Sequence, residues 1–488
     1  MESWLSPLFD ADGIRAIDRW AIEQRGVAEA DLMEAAGTAL AEVVAGLAPQ
    51  GPVRVVCGKG NNGGDGLLAA RRLRAMGFDV ATLELDKDEP GDLDAWLRGS
   101  GAVIDAIFGT GFKGAPREPA AGAIAAINGC EAPVIACDIA SGVDASSGEI
   151  AGAAIEADLT VSFHAAKLGH RIAPGKWHTG ELRVEPIGIP GGAPSPPKGG
   201  TIGPAVLDLL PGRGVRSTKF SSGQVVIAGG SRGLTGAVRM SSLAAIRAGA
   251  GYATVAVPAD LEAIFESSQP EVMSVGCPGG DGCLAPAGLK TIRRAFERAA
   301  AGVIGPGMGR DPGTVELARE AVAAIEAPLV IDADGLNAFA GEIASLAERR
   351  APTVLTPHAG ELARLLGRSS EEMAARRLAA AREAAAATGA IVVLKGDDTI
   401  VTDGDRIAVN SLAAPGLATA GTGDVLSGIA AAMLARGLEP FAAACAAVFA
   451  HARAGRDAAR RIGLAESVIA GDVIESIAAG MRPAAPVE

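Results

Sequence analysis

The stretch VRVVCGKGNNGGDGLLAARRLRAMG, Val53 to Gly77, decides how the first half of the chain is interpreted. An apolar run leads into a glycine-rich loop, and the loop leads into a helical pattern. Gly58, Gly60 and Gly63 satisfy the G-x-G-x-x-G fingerprint of dinucleotide-binding folds. The stretch therefore predicts an α/β sheet, and it raises the question whether a nicotinamide cofactor would serve as a hydride carrier or in another role.

Apolar runs and helical patterns alternate on both sides of a proline- and glycine-rich segment, Pro186–Pro204. Nearly unbroken apolar runs are typical of parallel strands buried on both faces, and such a segment cannot hold a long helix. We therefore expect an α/β protein with two three-layer α/β/α domains, at residues 1–190 and 205–488, joined by a linker at 191–204. The predicted strands are Val53–Cys57, Val80–Leu85, Val103–Phe108, Val134–Asp138, Val225–Ala228, Ala253–Val257, Val303–Gly305, Leu329–Asp332, Thr353–Leu355 and Ile391–Lys395. The predicted helices are Ile14–Gln24, Ala30–Leu47, Asp65–Met76, Pro119–Ile127, Ala237–Ala248, Ala359–Leu366 and Asp424–Ala435.

The composition and the patterning of the chain argue against several classes of function. A net charge of −13 disfavours nucleic-acid binding, since an acidic chain repels phosphate backbones. The N-terminus has no signal-peptide pattern, and apolar stretches such as Phe441–Ala450 are too short to span a bilayer and indicate a buried helix. The six cysteines lack metal-ligand spacing, which favours a reducing, cytoplasmic environment. Apolar helices in this Ala-rich chain favour a homo-oligomer.

Polar side chains in the first glycine loop go beyond a dinucleotide fingerprint. Asn61, Asn62 and Asp65 flank Gly63 and Gly64, so backbone N–H groups and amide oxygens could face a ligand at a helix N-terminus. The alternative is a plain loop in which Asp65 caps the following helix. This stretch alone favours neither interpretation.

Acidic and hydroxyl side chains occur at the ends of two further predicted strands. Asp105 lies inside an apolar run, where a carboxylate is costly unless it is paired or coordinated. Asp138 ends the next strand and Ser141 follows it. Asn62, Asp105 and Ser141 together offer oxygen ligands without His or Cys, which suits a hard cation rather than zinc. Asp138 then remains free for proton transfer.

The stretch NSLAAPGLATAGTGDVLSGIAAAML holds the chemistry of the second half. Gly421, Thr422 and Gly423 precede Asp424, and backbone N–H groups there can hold developing negative charge on a phosphoryl group. Asp424 could take the proton from a hydroxyl that attacks phosphorus. The alternative is that Asp424 merely caps its helix.

The motifs GKGNNGGDG, DAIFGTGFKG and DIASGVD together resemble the epimerase domain of NAD(P)H-hydrate repair enzymes, over essentially all of residues 1–190. The resemblance implies a Rossmann-like fold and a potassium ion held by Asn62, Asp105 and Ser141, with Asp138 as the catalytic acid–base group. It also implies a set of substrate-binding positions: Asn61, Asn62, Gly63, Gly64, Asp65, Gly109, Thr110, Gly111, Phe112, Lys113, Gly114, Ala115 and Asp138.

The motif GTGD resembles the catalytic loop of ribokinase-like kinases. With TPHAGELARLL, VVLKGDDTIVTDG, GGSRGLTGA and GPGMG, the second half resembles the ADP-dependent dehydratase domain of the same repair system, over roughly residues 205–480. The resemblance implies a ribokinase-like fold and ADP as co-substrate, and magnesium is expected as in most phosphoryl transfers. It places the hydrated cofactor against Ala237, Gly307, His358 and Asp424, and the nucleotide against Lys395, Gly396, Asp397, Asp398, Thr399 and Gly423.

Some histidines have a plainer interpretation. His358 precedes a predicted helix, and a histidine at that position often only caps the helix; the surrounding motifs favour a site role. His164, His170, His178 and His451 have no such motif around them and carry no assignment.

The expected function is metabolite repair, in which the nicotinamide cofactor is the substrate. The first domain would interconvert the R and S epimers of hydrated NADH and NADPH. The second would dehydrate the S epimer at the expense of ADP, releasing AMP and phosphate. Three alternatives remain open: a small-molecule kinase for a vitamin precursor, a non-catalytic RNA-binding module, and an NAD-dependent dehydrogenase.

Overall fold

The computed structural model of the chain describes residues 2–88 and 91–483. The chain forms two compact units, the first at Pro7–Gly200 and the second comprising Glu2–Ser6 and the chain from Thr201 onward. The segment expected as a linker ends in a short strand, Gly199–Ile202, which joins the sheet of the second unit.

A short strand, β1 (Leu5–Leu8), opens the described chain and also pairs into the second sheet. The first unit follows with the strands β2 (Val53–Cys57), β3 (Val80–Glu84), β4 (Ala102–Ala106), β5 (Val134–Cys137), β6 (Leu159–Phe163) and β7 (Glu181–Glu185). Its helices are α1 (Ala11–Glu23), α2 (Glu29–Gly46), α3 (Asn61–Ala75), α4 (Leu93–Leu97) and α5 (Ala120–Asn128).

The six strands of the first unit form a parallel sheet in the order β3-β2-β4-β5-β6-β7. Both of its faces are buried: Val55 packs with α2 and α3, whereas its neighbour Val56 packs with α5 on the other face. This double burial explains the unbroken apolar runs in the sequence. The chain order reverses between β2 and β4, and ligands of open α/β sheets bind beyond the strand ends at such a switch point.

The second unit contains the strands β8 (Gly199–Ile202), β9 (Gln224–Ala228), β10 (Tyr252–Pro258), β11 (Val272–Cys277), β12 (Gly279–Gly280), β13 (Cys283–Leu284), β14 (Ala301–Ile304), β15 (Leu329–Ile331), β16 (Thr353–Leu355), β17 (Ile391–Leu394), β18 (Ile400–Thr402) and β19 (Ile407–Val409). Its helices are α6 (Thr235–Arg247), α7 (Glu262–Ser268), α8 (Leu289–Phe296), α9 (Pro312–Ala324), α10 (Asp334–Asn337), α11 (Ala359–Leu366), α12 (Ser370–Ala375), α13 (Arg377–Thr388), α14 (Thr422–Ala435), α15 (Pro440–Ile462) and α16 (Ala470–Gly480).

The second sheet has eleven strands in the order β1-β8-β19-β18-β17-β16-β15-β14-β9-β10-β11. In this order, the neighbouring strands β17-β16-β15-β14-β9-β10-β11 are all parallel. Strand β18 pairs antiparallel with both β17 and β19. Its switch point lies between β9 and β14, where the Gly230 N–H donates to the Pro306 carbonyl at 2.9 Å. A Cβ on Gly229 would lie 2.3 Å from that oxygen, so the close approach of the two loops requires glycine.

The apolar stretch Phe441–Ala450 lies in α15 and is buried, as the sequence predicted. Among the described residues, no helix has both the length and the apolar character that a membrane span requires.

Gly428, in the middle of α14, lets this helix pack closely on α6. A Cβ there would lie 2.1 Å from the Ser241 carbonyl oxygen. We expect Gly428→Ala to lower the free energy of unfolding of the second unit by about 1–3 kcal/mol, because the two helices must separate. Denaturant unfolding measures this effect. Gly471→Ala is the control, since the nearest atom to its Cβ would lie 3.9 Å away, and equal losses in the two variants would contradict the prediction.

Candidate functional site

A cavity of about 490 Å³ lies beyond the carboxyl ends of β2 and β4, at the switch point of the first sheet. The first turn of α3 and the loop after β4 form its walls, and Phe108 and Phe112 stack there with ring centroids 4.3 Å apart. The predicted substrate-binding residues that line the cavity are Asn61, Asn62, Asp65, Gly109, Thr110, Gly111, Phe112 and Asp138.

Five other predicted positions do not line this cavity: Gly63, Gly64, Lys113, Gly114 and Ala115. Two of them serve packing. A Cβ on Gly63 would lie 2.0 Å from a backbone oxygen of the glycine loop, and one on Gly64 would lie 2.5 Å from a methionine Cε on α2.

The polar run after β2 is helical rather than a loop. Helix α3 begins at Asn61, and its N-cap residue, Gly60, makes no side-chain cap bond. Asp65 lies beyond the first turn of this helix, so the interpretation of Asp65 as an N-cap is wrong. Its buried carboxyl group faces the cavity instead.

Asp138 is held by a buried cation that the sequence analysis did not single out. Lys167, which is fully buried, donates to the Asp138 carboxylate and to Ser162 Oγ at 2.8 Å. The carboxylate also accepts from Thr110 Oγ1 at 3.0 Å and from the Phe163 N–H at 3.2 Å. Burial raises the pKa of Asp138, but the Lys167 ammonium outweighs it and the pKa lies below its ordinary value. Asp138 is therefore ionised.

The backbone of Asp138 is strained, with a φ of +68°. Residues other than glycine rarely adopt this left-handed conformation, and such strain clusters at functional sites. The side chain of His170 holds the same peptide, with Nε2 3.0 Å from the Asp138 carbonyl oxygen.

Two more carboxyl groups face Asp138 across the cavity. Burial raises the pKa of Asp65 to about 8, and the Asp138 charge adds to the shift. Burial likewise raises the pKa of Asp18 to about 6. At neutral pH the cavity thus holds an ionised Asp138 and a protonated Asp65, which is the separation that acid–base chemistry needs.

Two of the three predicted cation ligands, Asp105 and Ser141, are in contact, and the third, Asn62, lies beside Gly109 in the loop after β4. Asp105 is fully buried, and it accepts from Ser141 Oγ at 2.6 Å and from the Ser141 N–H at 2.8 Å. Asn62 Oδ1 would lie 3.1 Å from a Cβ built on Gly109, at the same strand edge. Burial raises the pKa of Asp105 to about 6, and no cationic side chain among the described residues pairs with it. A buried carboxylate without a counter-charge, in contact with the Ser141 hydroxyl, fits a hard cation.

The second unit has a cavity of about 520 Å³ beside the N-terminus of α14. Five of the six predicted nucleotide-binding residues line it: Lys395, Gly396, Asp397, Thr399 and Gly423.

Asp398 does not line this cavity. Its carboxylate pairs with Arg377, which is almost fully buried, at 2.7 Å. This ion pair anchors the loop between β17 and β18 and gives Asp398 a structural position.

Lys395 connects the cavity with a group of carboxylates. Its Nζ lies 3.1 Å from Asp332 Oδ1 and 3.5 Å from Glu361 Oε2. Burial lowers the pKa of Lys395, but these carboxylates outweigh it, so the ammonium stays charged. A Cβ on Gly423 would lie 3.4 Å from Lys395 Nζ, which places this cation at the helix start.

Asp424 lies in the first turn of α14, which begins at Thr422 with Gly421 as its N-cap. No side-chain cap bond forms there, so the alternative that Asp424 merely caps the helix is wrong. Burial raises the pKa of Asp424 to about 7, and Asp332 adds to the shift while Lys395 opposes it. The carboxyl group is poised to exchange a proton near neutral pH.

The other residues predicted to contact the hydrated cofactor also follow the carboxyl ends of strands in the second sheet. A Cβ on Gly307, whose φ is +61°, would lie 3.2 Å from the Ala237 methyl group on α6. His358 is the N-cap of α11, where its Nδ1 accepts from the N–H groups of Gly360 at 3.0 Å and Glu361 at 3.4 Å. Its capping role is thus confirmed, and its half-exposed Nε2 remains able to donate to a ligand.

The sequence analysis missed residues that act through charge or through an orphaned polar atom. Lys167 and His170 follow the apolar strand β6, and charges after such a run are a usable signal. Asp332 ends a predicted strand. Asp18 and His451 lie on helices without any motif, and only the fold brings them to the cavities. The missed residues are Asp18, Lys167, His170, Asp332, Glu361 and His451.

Comparison with known proteins identifies relatives over the full length. Residues 225–478 match the family described as NAD(P)H-hydrate dehydratase, and residues 29–100 and 85–169 match the YjeF-related protein N-terminus. The chain is 35% identical to the bifunctional NAD(P)H-hydrate repair enzyme Nnr of Moorella thermoacetica, covering 94% of this chain and 93% of that protein. It is 36% identical to the enzyme of the same name from Salinibacter ruber, covering 98% and 96%.

A solved structure supports the fold of the second unit. A ribokinase-like superfamily protein from Enterococcus faecalis superposes with a TM-score of 0.50 at 28% identity, over 58% of this chain and 94% of that one. The predicted ribokinase-like fold is confirmed. By its two matched domains and its full-length relatives, this chain belongs to the family of bifunctional NAD(P)H-hydrate repair enzymes.

Proposed function

We propose that this chain restores hydrated NADH and NADPH to the intact cofactors. The first unit interconverts the R and S epimers at C6 of the hydrated ring, and the second dehydrates the S epimer at the expense of ADP. The observation that carries the proposal is that each unit places a buried carboxyl group suited to moving a proton at a cavity: Asp138 lines the first cavity, and Asp424 directly follows Gly423, which lines the second.

In the first cavity, the ionised Asp138 accepts the proton of the C6 hydroxyl. The C6–O bond gains carbonyl character as the ring C6–N bond breaks, and Asp65 supplies a proton to the released nitrogen. Closure of the ring on the other face of C6 reverses these transfers and yields the other epimer. Thr110 and Lys167 keep Asp138 in place throughout.

A potassium ion would be held by Asn62, Asp105 and Ser141, whose oxygen atoms and uncompensated charge fit it. When bound, it supplies positive charge that compensates the Asp105 carboxylate. The chain itself orders this edge through the Ser141 hydroxyl, which donates to Asp105 and accepts from the Phe108 N–H at 2.8 Å.

We expect the first unit to gain stability from potassium in a way that depends on Asp105. Its melting temperature should rise as KCl replaces tetramethylammonium chloride at constant ionic strength, and the Asp105→Asn variant should lose this rise. The control is Asp94→Asn, because Asp94 is exposed, and this variant should respond like the parent. Asp158 is less suitable, since its carboxylate accepts a hydrogen bond from the Val134 N–H. An equal response of Asp105→Asn and the parent would contradict the assignment.

At the start of α14, beside the second cavity, Asp424 accepts the proton of the C6 hydroxyl as the hydroxyl oxygen attacks the β-phosphorus of ADP. The bond from that phosphorus to AMP breaks, and the N–H groups of Gly421, Thr422 and Gly423 hold the transferred phosphoryl group. The ring nitrogen then expels phosphate, and loss of the C5 proton restores the double bond. Overall, the hydrated cofactor and ADP are converted into the intact cofactor, AMP and phosphate.

Magnesium would be held at this end mainly by the phosphates. No group of three metal-ligating side chains is preassembled among the described residues, and magnesium in phosphoryl transfer needs only one or two carboxylates besides the phosphates. Asp332 and Glu361, on either side of Lys395, fit that requirement.

The test is the recovery of absorbance at the reduced-nicotinamide band. The full chain is mixed with both NADH hydrate epimers, magnesium, potassium and either ADP or ATP. Full recovery with ADP is expected. Accumulation of a phosphorylated product without NADH would favour the small-molecule kinase, and recovery with ATP alone would overturn the assignment of ADP.

A further inference from the structure

His170 is buried beside the ion pair of the first unit and has no role in the mechanism above. Its side chain is 1% exposed and does not line the first cavity, so it can act only through other residues. Its Nδ1 accepts from the Lys167 N–H at 3.1 Å, and its Nε2 lies 3.0 Å from the Asp138 carbonyl oxygen. The imidazole therefore joins the backbones of the two residues whose side chains form the ion pair.

The two backbone partners determine which ring nitrogen of His170 carries the proton. A backbone N–H can only donate, so the Nδ1 that accepts it from Lys167 is unprotonated. The ring is then the neutral imidazole with its proton on Nε2, and Nε2 donates to the Asp138 carbonyl. Loss of the ring would leave one backbone donor and one backbone acceptor unpaired in the interior, which is unfavourable.

The bond from His170 reaches the backbone of a residue in a strained conformation. Asp138 has a φ of +68°, and such a conformation persists only where the surrounding structure enforces it. The Asp138 N–H donates to the Val161 carbonyl at 2.8 Å, and the Asp138 carbonyl accepts from the imidazole. The peptide groups on both sides of Asp138 are thus fixed. The direction in which its carboxylate enters the cavity depends on these two bonds.

We propose that His170 is a positioning residue for epimerisation: by donating to the Asp138 carbonyl, its imidazole keeps Asp138 in the left-handed conformation that directs the carboxylate into the cavity. The inference rests on the proposed function, in which Asp138 moves the proton. Without this bond the backbone relaxes and the carboxylate turns away from the C6 hydroxyl. A misplacement of about 1 Å can slow a reaction about a hundredfold.

Two substitutions separate the two bonds of the imidazole. The side-chain oxygen of asparagine occupies the place of Nδ1, so His170→Asn keeps the acceptor for Lys167 and loses the donor to Asp138. The amide nitrogen of glutamine occupies the place of Nε2, so His170→Gln keeps that donor. We expect kcat of epimerisation to fall about a hundredfold in His170→Asn, with KM nearly unchanged because the ring does not line the cavity. His170→Gln should keep most of the parent kcat.

The rate is the recovery of NADH from the R epimer with ADP and an excess of the Asp138→Asn chain, which dehydrates each S epimer as it forms. His178→Gln is the control. His178 does not line the cavity, and its Nδ1 lies 2.8 Å from the Ile155 carbonyl oxygen. This variant removes a bond of the same kind and should keep the parent kcat. Equal losses in the two His170 variants, or the parent kcat in His170→Asn, would overturn the proposal.

Crystal structures of the parent and of the two His170 variants test the geometry without turnover. Asp138 should keep a positive φ in the parent and in His170→Gln, and should leave that region in His170→Asn. A positive φ in His170→Asn would overturn the proposal, as would a folded His170→Gln chain that has lost epimerisation. Failure of the parent to regenerate NADH would count against the proposed function, whereas the structures would still decide this inference.

Discussion

Replacing Asp424 with asparagine is expected to lower kcat of ADP-dependent dehydration by about a thousandfold, the usual contribution of a positioned base together with its charge. Asparagine keeps the shape of the side chain but cannot accept the hydroxyl proton. ADP should still bind, because the cavity residues around Lys395 remain in place. Stopped-flow recovery of NADH from the S epimer measures the rate.

The pH profile separates this role from a structural one. The pKa of Asp424 is raised to about 7, so the parent rate should rise with pH through about 7 as the carboxylate forms. The pH dependence of stability has the opposite sign to that of the rate. Between the ordinary pKa and the raised one, the folded state binds more protons than the unfolded state, so this group makes the fold less stable as pH rises. Asp424→Asn should therefore be as stable as the parent at pH 8, or more stable.

Two controls accompany the Asp424 variant. Epimerisation by the first unit of the same chain should be unaffected, and the exposed Asp208 provides Asp208→Asn, which should keep the parent rate. Dehydration at more than a tenth of the parent rate in Asp424→Asn would remove Asp424 from the role of base.

Several central strands of both sheets were predictable because their residues are mostly apolar. Val53–Cys57 and Thr353–Leu355 were predicted with the bounds that the structure has. The edge strand Glu181–Glu185 was not predicted, because it alternates polar and apolar residues and none of them is fully buried. Two helices begin earlier than predicted because glycines lie in their first turn, and glycine does not indicate a helix. Helix α3 starts at Asn61 rather than Asp65, and α14 starts at Thr422 rather than Asp424.

The positions of candidate residues were predictable from local patterns where they lie within a strand, directly after one or at a helix start, as do Asp105, Asp138 and Asp424 respectively. Properties that depend on contacts between residues distant in sequence were not predictable. The pKa of Asp138 is set by Lys167, and the two residues are brought together by the pairing of β5 with β6. His451 reaches its cavity from α15, a helix whose apolar pattern indicates only burial.

The second large effect concerns Asp138 and its buried partner. We expect Asp138→Asn to abolish fast epimerisation, so that recovery of NADH from an equal mixture of epimers stalls near the S fraction. Asparagine is the suitable replacement because, unlike most residues, it tolerates the left-handed backbone at φ +68°. Because the second unit of this variant stays active and consumes the S epimer, the half of the substrate that remains is the R epimer.

This substitution also leaves the Lys167 ammonium buried without a counter-charge, which typically costs about 3–5 kcal/mol. Lost activity in the single variant could then reflect an unfolded first unit. The double variant Asp138→Asn/Lys167→Met removes both charges, and replacing a buried ion pair by neutral groups is often neutral for stability. We expect the double variant to regain the parent melting temperature without regaining epimerisation. Recovery of both would show that Asp138 only compensates Lys167, whereas recovery of stability alone identifies it as the proton-transferring group.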